Sequence, residues 1–235
     1  MAMAEAGNFP VPASRLRALA HTRAAEDSEA APWPAAEASA FEQTHEAAPR
    51  TPRDLQLLAL RRFADLQHDL LHADFAQGAT LSGLPDETAV QNWVADRLRL
   101  KQGRAYCVER EPHAVDENEP DIRLRASATD ASVAVEIKVA ESWSITELEE
   151  GLRDQLCGRY LRGRDARHGI LLLVHQARRP RGWPDPDTGR FLTFAQAVER
   201  LRALAQQISG TLPDAPQPVI ALLDVSSCAT INVPS

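Results

Sequence analysis

The sequence has few cysteines and no long apolar run. Its 235 residues include three cysteines, and their odd number and wide spacing argue against a disulfide framework and a cysteine-based zinc site. No apolar run approaches the roughly 18–20 residues that cross a bilayer. The N-terminus also lacks the basic and apolar regions of a signal peptide. We therefore expect a protein of the cytoplasm, without a membrane partner.

The chain lacks the basic charge that is typical of a non-specific nucleic-acid coat, because its net charge is −7. The charge is uneven, however. Residues 151–190 contain nine arginines and four aspartates, and nine minus four leaves a local charge of +5. A basic sector on an acidic protein is compatible with binding phosphates at one place.

Lysine is the scarcest charged residue. Of the 26 basic side chains only Lys101 and Lys138 are lysines, and the other 24 are arginines. An arginine stays protonated in proteins, whereas a lysine can give up its proton. In a chain with this bias, a position that keeps lysine is a candidate for a chemical role.

Hydrophobic periodicity predicts alternating helices and strands. Helices are expected at 52–75, 86–100, 145–161 and 194–208, strands at 105–111, 121–126, 132–140, 169–176 and 218–225, and loops at 76–85 and 178–190. This order predicts an α/β fold with a mixed central β-sheet flanked by helices. Its core would be α-β-β-β-α-β plus a further α-β, with an N-terminal helical extension.

The same pattern divides the chain into four segments. We expect a weakly ordered or linker-like lead-in at 1–50, a helical extension at 51–80 that packs on the core, a main domain at 86–225 and a C-terminal tail at 226–235. The lead-in is rich in Ala, Glu and Pro and shows no clean period, which indicates a linker.

The stretch VAVEIKVA at 133–140 combines a buried strand with two charges. Because side chains alternate along a strand, the four β-branched residues share one face, and Glu136 and Lys138 share the other with two alanines. The alanines suggest room for a bulky group. If strand 121–126 pairs with this one as a hairpin, Asp121 lies near Glu136. Two carboxylates beside an amine suit Mg²⁺ or Mn²⁺.

These residues carry a resemblance to a known family. Pro120-Asp121, a gap of fourteen residues and then Glu136-x-Lys138 resemble the signature of the PD-(D/E)xK nuclease superfamily, whose typical α-β-β-β-α-β fold corresponds to 86–176. The next helix supplies Gln155 and Tyr160, similar to the Gln…Tyr motif of the RecB-type branch. That motif has a spacing of four, whereas here it is five, which in an α-helix turns Tyr160 away from Gln155.

The resemblance implies a metal-dependent nuclease that hydrolyses DNA. Asp121 and Glu136 would bind one or two Mg²⁺ or Mn²⁺ ions with the main-chain carbonyl of Ile137. Lys138 would orient or deprotonate the attacking water, or neutralise charge on the phosphate. The catalytic set is then Asp121, Glu136, Lys138 and Gln155.

Further residues complete the expected site. Glu87, at the start of a helix, is a candidate third carboxylate for the metal, with Glu111 as the fallback. The expected nucleic-acid contacts are Tyr160, Arg153, Arg159, Arg162 and Arg164. DNA is the expected partner, other domains or subunits of a bacterial defence or repair system are further candidates, and a homodimer is compatible with the sequence.

Other interpretations of the same residues stay open. Glu136 and Lys138 could form a surface ion pair, Asp121 could be a turn residue after proline, and Glu87 could favour the helix dipole. At the level of function, the alternatives are an inactive nuclease-like module that binds DNA or a protein, and a nuclease that cleaves RNA. His68 and His72 have a zinc-compatible spacing without a third ligand, and we expect them on a helix surface.

Overall fold

The computed structural model describes residues 15, 17–23, 34–37, 48–110, 119–163, 166–212 and 214–229. The chain forms two compact units, Met1–Ala47 and Ala48–Ser235. In the first unit, residues 17–23 and 35–37 are helical. No helix in these ranges is long and apolar enough to span a membrane. The following paragraphs concern the second unit.

Helices and strands of the second unit follow the predicted order closely. The helices are α1 (Pro52–His72), α2 (Gly78–Ser82), α3 (Glu87–Leu100), α4 (Ile145–Glu150) and α5 (Phe194–Ser209), and a π-helix (Gly151–Tyr160) continues α4. The strands are β1 (Tyr106–Glu109), β2 (Ile122–Ala126), β3 (Ser132–Val139), β4 (His168–His175), β5 (Trp183–Pro184), β6 (Phe191–Leu192) and β7 (Gln217–Asp224). The predicted mixed α/β fold is confirmed.

Five of the strands form one mixed sheet, in the order β1-β2-β3-β4-β7. The pairs β1–β2 and β2–β3 are antiparallel, whereas β3–β4 and β4–β7 are parallel. The two parallel connections contain helices, as such crossovers require. Because β3, β4 and β7 run the same way, their carboxyl ends meet at one edge of the sheet.

Helices cover both faces of the sheet and produce two apolar clusters. The first cluster joins α1 and α3 to one face, and the second joins α4, the π-helix and α5 to the other. The β-branched residues of β3 point into the first cluster, as their alternation predicted. Ala134 and Ala140 belong to the second cluster together with Leu152 and Leu156, so the room beside these alanines is filled by helix side chains. The expectation of a gap there was wrong.

Helix α1 is fastened to the sheet by buried amides. The Gln56 Nε2 atom donates to the carbonyls of Gly169 and Gln217, at 2.9 and 2.8 Å. One turn from the other end, Gln67 exchanges two hydrogen bonds with the main chain of Asp224. Segment 51–80 is therefore part of the same compact unit as the sheet.

Local structure differs from the prediction at four places. The segment 76–85 contains the short helix α2. The segment 178–190 contains β5, which pairs with β6 directly after it as a hairpin. Helix α1 ends at His72, and Phe75 beyond it is 90% exposed. The helix predicted at 145–161 is an α-helix for six residues and a π-helix for the next ten. Hydrophobic periodicity marks buried positions, and it does not distinguish these local hydrogen-bond patterns.

Candidate active site

Two carboxylates, those of Asp121 and Glu136, meet at the start of strand β2. The register pairs Ile122 with Val135, which places Asp121 opposite Glu136. Beyond this point no described strand pairs with β3 on that side, and its N–H groups need other acceptors. The N–H of Ile137 donates to Asp121 Oδ2 at 2.7 Å, and the N–H of Val139 donates to Glu87 Oε2 at 3.0 Å. Asp121 and Glu87 therefore line the uncovered edge of β3.

The first two turns of α3 supply two polar side chains to this edge, Glu87 and Gln91. Asp86 caps the helix, since its side chain accepts from the N–H of Ala89 at 2.7 Å. Glu87 follows, and Gln91, one turn later, donates from Nε2 to Asp121 Oδ1 at 2.7 Å. Sequence reasoning missed Gln91. The signal was its spacing of four from Glu87, which places both side chains on one helix face.

Lys138 lies at the centre of the cluster. Its Nζ atom is 2.8 Å from Glu136 Oε1 and 3.5 Å from Glu87 Oε1, and it lies 4.8 Å from the centre of the Trp143 ring, close enough for a cation–π contact. Glu136 and Lys138 are only 4% and 6% exposed. The pair is therefore buried, which excludes the surface ion pair that the sequence left open.

Trp143 closes the cluster from the turn after β3. Its Nε1 atom donates to Glu87 Oε2 at 2.9 Å, so that Glu87 accepts from a side chain and from the main chain with one oxygen. Nothing in the sequence marked Trp143, because it comes from a 3₁₀ turn (Ala140–Ser142) whose direction depends on the sheet.

Burial shifts the pKa values of the three charged groups. Burial, with the neighbouring Glu136 carboxylate, raises the pKa of Asp121 to about 7. Burial also raises the pKa of Glu136, although the Lys138 ammonium opposes the shift. For Lys138, burial lowers the pKa, but the carboxylates of Glu136 and Glu87 outweigh it and the pKa is raised. Lys138 is therefore an ammonium in this arrangement, which favours a role in orienting or neutralising charge over a role as a base.

Two buried oxygen atoms have no partner among the described groups. Glu136 Oε2 and Gln155 Oε1 accept no hydrogen bond. A Cβ placed on Gly151 would lie 3.6 Å from Gln155 Oε1 and 3.7 Å from the Cε of Lys138, so Gln155 reaches the neighbourhood of the ammonium. A buried carboxylate oxygen without a donor is costly unless a cation or a proton satisfies it.

The donor set fits a hard divalent cation. Asp121 and Glu136 lie side by side, one Glu136 oxygen has no hydrogen-bond partner among the described residues, and the carbonyl of Ile137 faces the same edge as its N–H group. Mg²⁺ is commonly held by one or two carboxylates and several waters. Among the described residues, no three His, Cys, Asp or Glu side chains form a ready-made metal cluster. His68 and His72 are exposed on α1, and no third metal ligand joins them among these residues.

The π-helix changes the relation between Gln155 and Tyr160. In an α-helix, a residue five positions on is turned away by about 140°. In a π-helix the hydrogen bonds join residues five apart, so the side chains at 155 and 160 lie on the same side, about one turn apart. Burial and the carboxylates of Glu136 and Asp121 raise the pKa of Tyr160 to about 12, which shows that the phenol senses the site. The expectation that Tyr160 turns away was wrong.

The arginines expected to contact nucleic acid are spread over the π-helix and the residues after it. Arg159 lies close enough for its charge to lower the pKa of Glu136 against the effect of burial. Arg153 and Arg162 are exposed. Arg164 and the fallback carboxylate Glu111 lie outside the described residues.

No protein-family model, curated protein or solved structure matches this chain. The likeness to PD-(D/E)xK nucleases therefore depends on the motif residues, on the strand face they share and on the order of the elements.

Proposed function

We propose that this chain is a metal-dependent nuclease that hydrolyses DNA phosphodiester bonds. The observation that carries the proposal is the cluster at the start of β2. Asp121 and Glu136 lie opposite each other, one Glu136 oxygen has no hydrogen-bond partner among the described residues, and Lys138 lies 2.8 Å from the other oxygen. A buried carboxylate and a buried amine beside the half-buried Asp121 are a costly arrangement for stability alone, and chemistry is the better reason for it.

The side chains divide the work as follows. Asp121 and Glu136 would hold a divalent cation, with the Ile137 carbonyl as a third oxygen donor. When bound, such a cation would supply positive charge beside the scissile phosphate. Lys138 stays protonated, and its ammonium orients the attacking water or neutralises charge that develops on the phosphate oxygens. Glu87 also contacts the ammonium, at 3.5 Å, and accepts a hydrogen bond that orients Trp143.

The fold and the charge distribution support this proposal. The order α3-β1-β2-β3-α4-β4 is the order typical of PD-(D/E)xK nucleases, and the motif residues lie at the expected strands. The acidic chain carries its arginine-rich sector directly after the site, where it suits phosphate contacts. By analogy with such domains, the chain would serve a bacterial defence or repair system in the cytoplasm, where its three free thiols fit a reducing environment.

A second candidate is an inactive module that binds DNA or a protein. One observation favours it: Asp121 and Glu87 both cap main-chain N–H groups of β3. That structural role would explain the two acids without any metal. It does not explain Glu136, whose Oε2 caps nothing among the described residues.

A cleavage assay tests the proposal. Wild-type protein, Lys138→Ala and Lys101→Ala are incubated with plasmid, single-stranded DNA and RNA in Mg²⁺, Mn²⁺ or EDTA. Lys101 is the matched control, since it is the only other lysine and pairs with Asp69 on the surface. We expect divalent-dependent cleavage of DNA by the wild type and by Lys101→Ala, and a loss of at least about 100-fold in Lys138→Ala. Absence of cleavage by the wild type with both cations would contradict the proposal. Preferential cleavage of RNA would show that RNA, and not DNA, is the substrate.

A further inference from the structure

A cavity lies at the carboxyl end of β4, next to the candidate active site. It has a volume of about 610 Å³ and lies between the end of β4, the loop before β5 and the start of α5. Its wall is joined to the active site, because Trp183 Nε1 donates to the carbonyls of Ala140 and Trp143 at 3.2 and 3.1 Å. Trp143 in turn contacts Lys138. We call this space the β4–β5 cavity.

A buried histidine with one unused nitrogen lies in the cavity wall. His175 is 5% exposed, and its Nδ1 atom is 3.1 Å from Asp224 Oδ1. Burial by itself raises the pKa of Asp224, but hydrogen bonds from His175 and the N–H of Ser226 outweigh it and lower the pKa to about 2. The ionised carboxylate therefore makes Nδ1 the protonated nitrogen. The Nε2 atom has no hydrogen-bond partner among the described groups.

The cavity is basic. Three guanidinium groups line it, and no acidic side chain occurs among its described lining residues. Arg179 is held by the carbonyl of Trp143 at 3.0 Å and by the ring of Trp183. Arg178 and Arg181 are exposed. The N-terminus of the sixteen-residue helix α5, capped by Thr193, adds the positive end of a helix dipole.

The cavity is also aromatic. The ring of Phe194 stacks on His175 with centroids 4.2 Å apart, and Trp183 packs edge-on against the same histidine. Phe191 lines the opening and is 56% exposed. An exposed ring beside arginines is the combination on which an unpaired base stacks while its phosphate is neutralised. A base within a duplex does not offer its face in this way.

We propose that the β4–β5 cavity binds one nucleotide of a single-stranded segment of the substrate. Arg178, Arg181 and the start of α5 hold its phosphate, the unprotonated Nε2 of His175 accepts a hydrogen bond from an N–H group of its base, and Phe191 stacks on that base. This inference rests on the proposed nuclease function. It adds that the enzyme prefers substrates with a single-stranded region next to the scissile bond.

Binding is measured in EDTA, so that no cleavage occurs. Fluorescence anisotropy gives the Kd of labelled oligothymidylate and of a duplex of equal length for wild type, Arg178→Ala/Arg181→Ala, Phe191→Ala and Arg190→Ala. Arg190 is the matched control, since it is an exposed arginine of the turn between β5 and β6 that does not line the cavity. We expect Phe191→Ala to weaken single-strand binding by about 5- to 100-fold with duplex binding unchanged. The double variant should weaken it by about 10-fold or more with a shallower salt dependence, and Arg190→Ala by less than about twofold. Circular dichroism and thermal melting confirm that each variant is folded.

The outcomes separate this inference from the nuclease proposal. Loss of single-strand binding in the variants, combined with a wild type that does not cleave, supports the cavity and contradicts the nuclease. A wild type that cleaves, together with cavity variants that bind and cleave as the wild type does, overturns the cavity alone. Equal weakening of duplex and single-strand binding by Phe191→Ala also overturns it, as does binding of thymidine monophosphate without binding of the oligonucleotide.

Discussion

A double-mutant cycle on Glu136 and Lys138 tests whether the buried pair serves stability or chemistry. The two charges are 2.8 Å apart and their side chains are 5% and 7% exposed. At an effective dielectric constant of about 20, their gross attraction is about 6 kcal/mol. Desolvation of both groups offsets most of it, so that replacing a buried pair by apolar residues is often neutral or stabilising. The variants are Glu136→Met, Lys138→Met and the double variant.

Lys138→Met leaves Glu136 as a buried carboxylate without its partner. The loss in the free energy of unfolding is limited to about 3 kcal/mol, because Glu136 can take up a proton instead of remaining charged. Protonation costs about 1.4 kcal/mol for each pH unit between the ordinary pKa of 4.5 and neutral pH. The free energy of unfolding of this variant should fall as the pH rises from 5 to 7. A group whose pKa is raised in the folded state binds its proton more tightly there, and the stability that this proton contributes is lost as the pH rises. The double variant should return to within about 1 kcal/mol of the wild type.

Urea unfolding, followed by far-UV circular dichroism, measures all four proteins. The control cycle uses Asp69 and Lys101, whose atoms are 2.6 Å apart but whose side chains are 48% and 29% exposed. We expect a coupling energy of at least about 2 kcal/mol for the buried pair and about 0–1 kcal/mol for the surface pair. If the single effects of Glu136→Met and Lys138→Met add to within about 0.5 kcal/mol, the two charges do not interact as the structure indicates. A double variant that is far less stable than the wild type would mean that the pair is structural.

Two further predictions concern the surroundings of the sites. Gly182 and Gly189 both have φ of +68°, but a Cβ on Gly182 would lie 2.1 Å from the carbonyl oxygen of Leu192, whereas on Gly189 it meets nothing within 4 Å. Gly182→Ala should therefore lower the free energy of unfolding by more than about 2 kcal/mol and Gly189→Ala by about 1 kcal/mol, and similar melting temperatures for the two would contradict the close approach. Gln91→Leu removes the donor to Asp121 Oδ1, which should lower the free energy of unfolding by about 1–3 kcal/mol, measured by urea unfolding, and weaken Mn²⁺ binding. An unchanged Mn²⁺ affinity would show that Gln91 does not position Asp121.

The sequence predicted those parts of the structure that depend on periodicity and on local hydrogen bonds. Alternation along β3 determined which of its side chains share a face, and the short connection between β2 and β3 determined that Asp121 lies opposite Glu136. Helices α4 and α5 begin at the residues where a helix start was predicted, and in the structure each follows a capping box, at Ser144 and at Thr193. These features involve residues close in sequence, so that steric and hydrogen-bonding rules suffice.

The remainder of the site depends on tertiary packing. Gln91 and Trp143 join the cluster because α3 and the turn after β3 approach the same strand edge from different directions. The realignment of Tyr160 depends on a π-helix, which has no marker in composition. The cavity beside β4 requires His175 and Asp224 to be paired in register across two parallel strands, forty-nine positions apart.

Calorimetric titration with Mn²⁺ tests the metal site most directly, in wild type and in Asp121→Asn. The oxygen of the asparagine can accept the hydrogen bond from the N–H of Ile137, and its NH₂ group can donate to Gln91 once the Gln91 amide is turned. The variant should therefore fold while losing one ligand charge. We expect saturable binding to the wild type and a stabilisation of about 2.7 kcal/mol at one hundred times the Kd. For a chain of this size that is a rise in melting temperature of about 5–10 °C, and both effects should be lost in Asp121→Asn. A wild type that binds no Mn²⁺ and melts at the same temperature with and without it would contradict the proposal that Asp121 and Glu136 form a metal site.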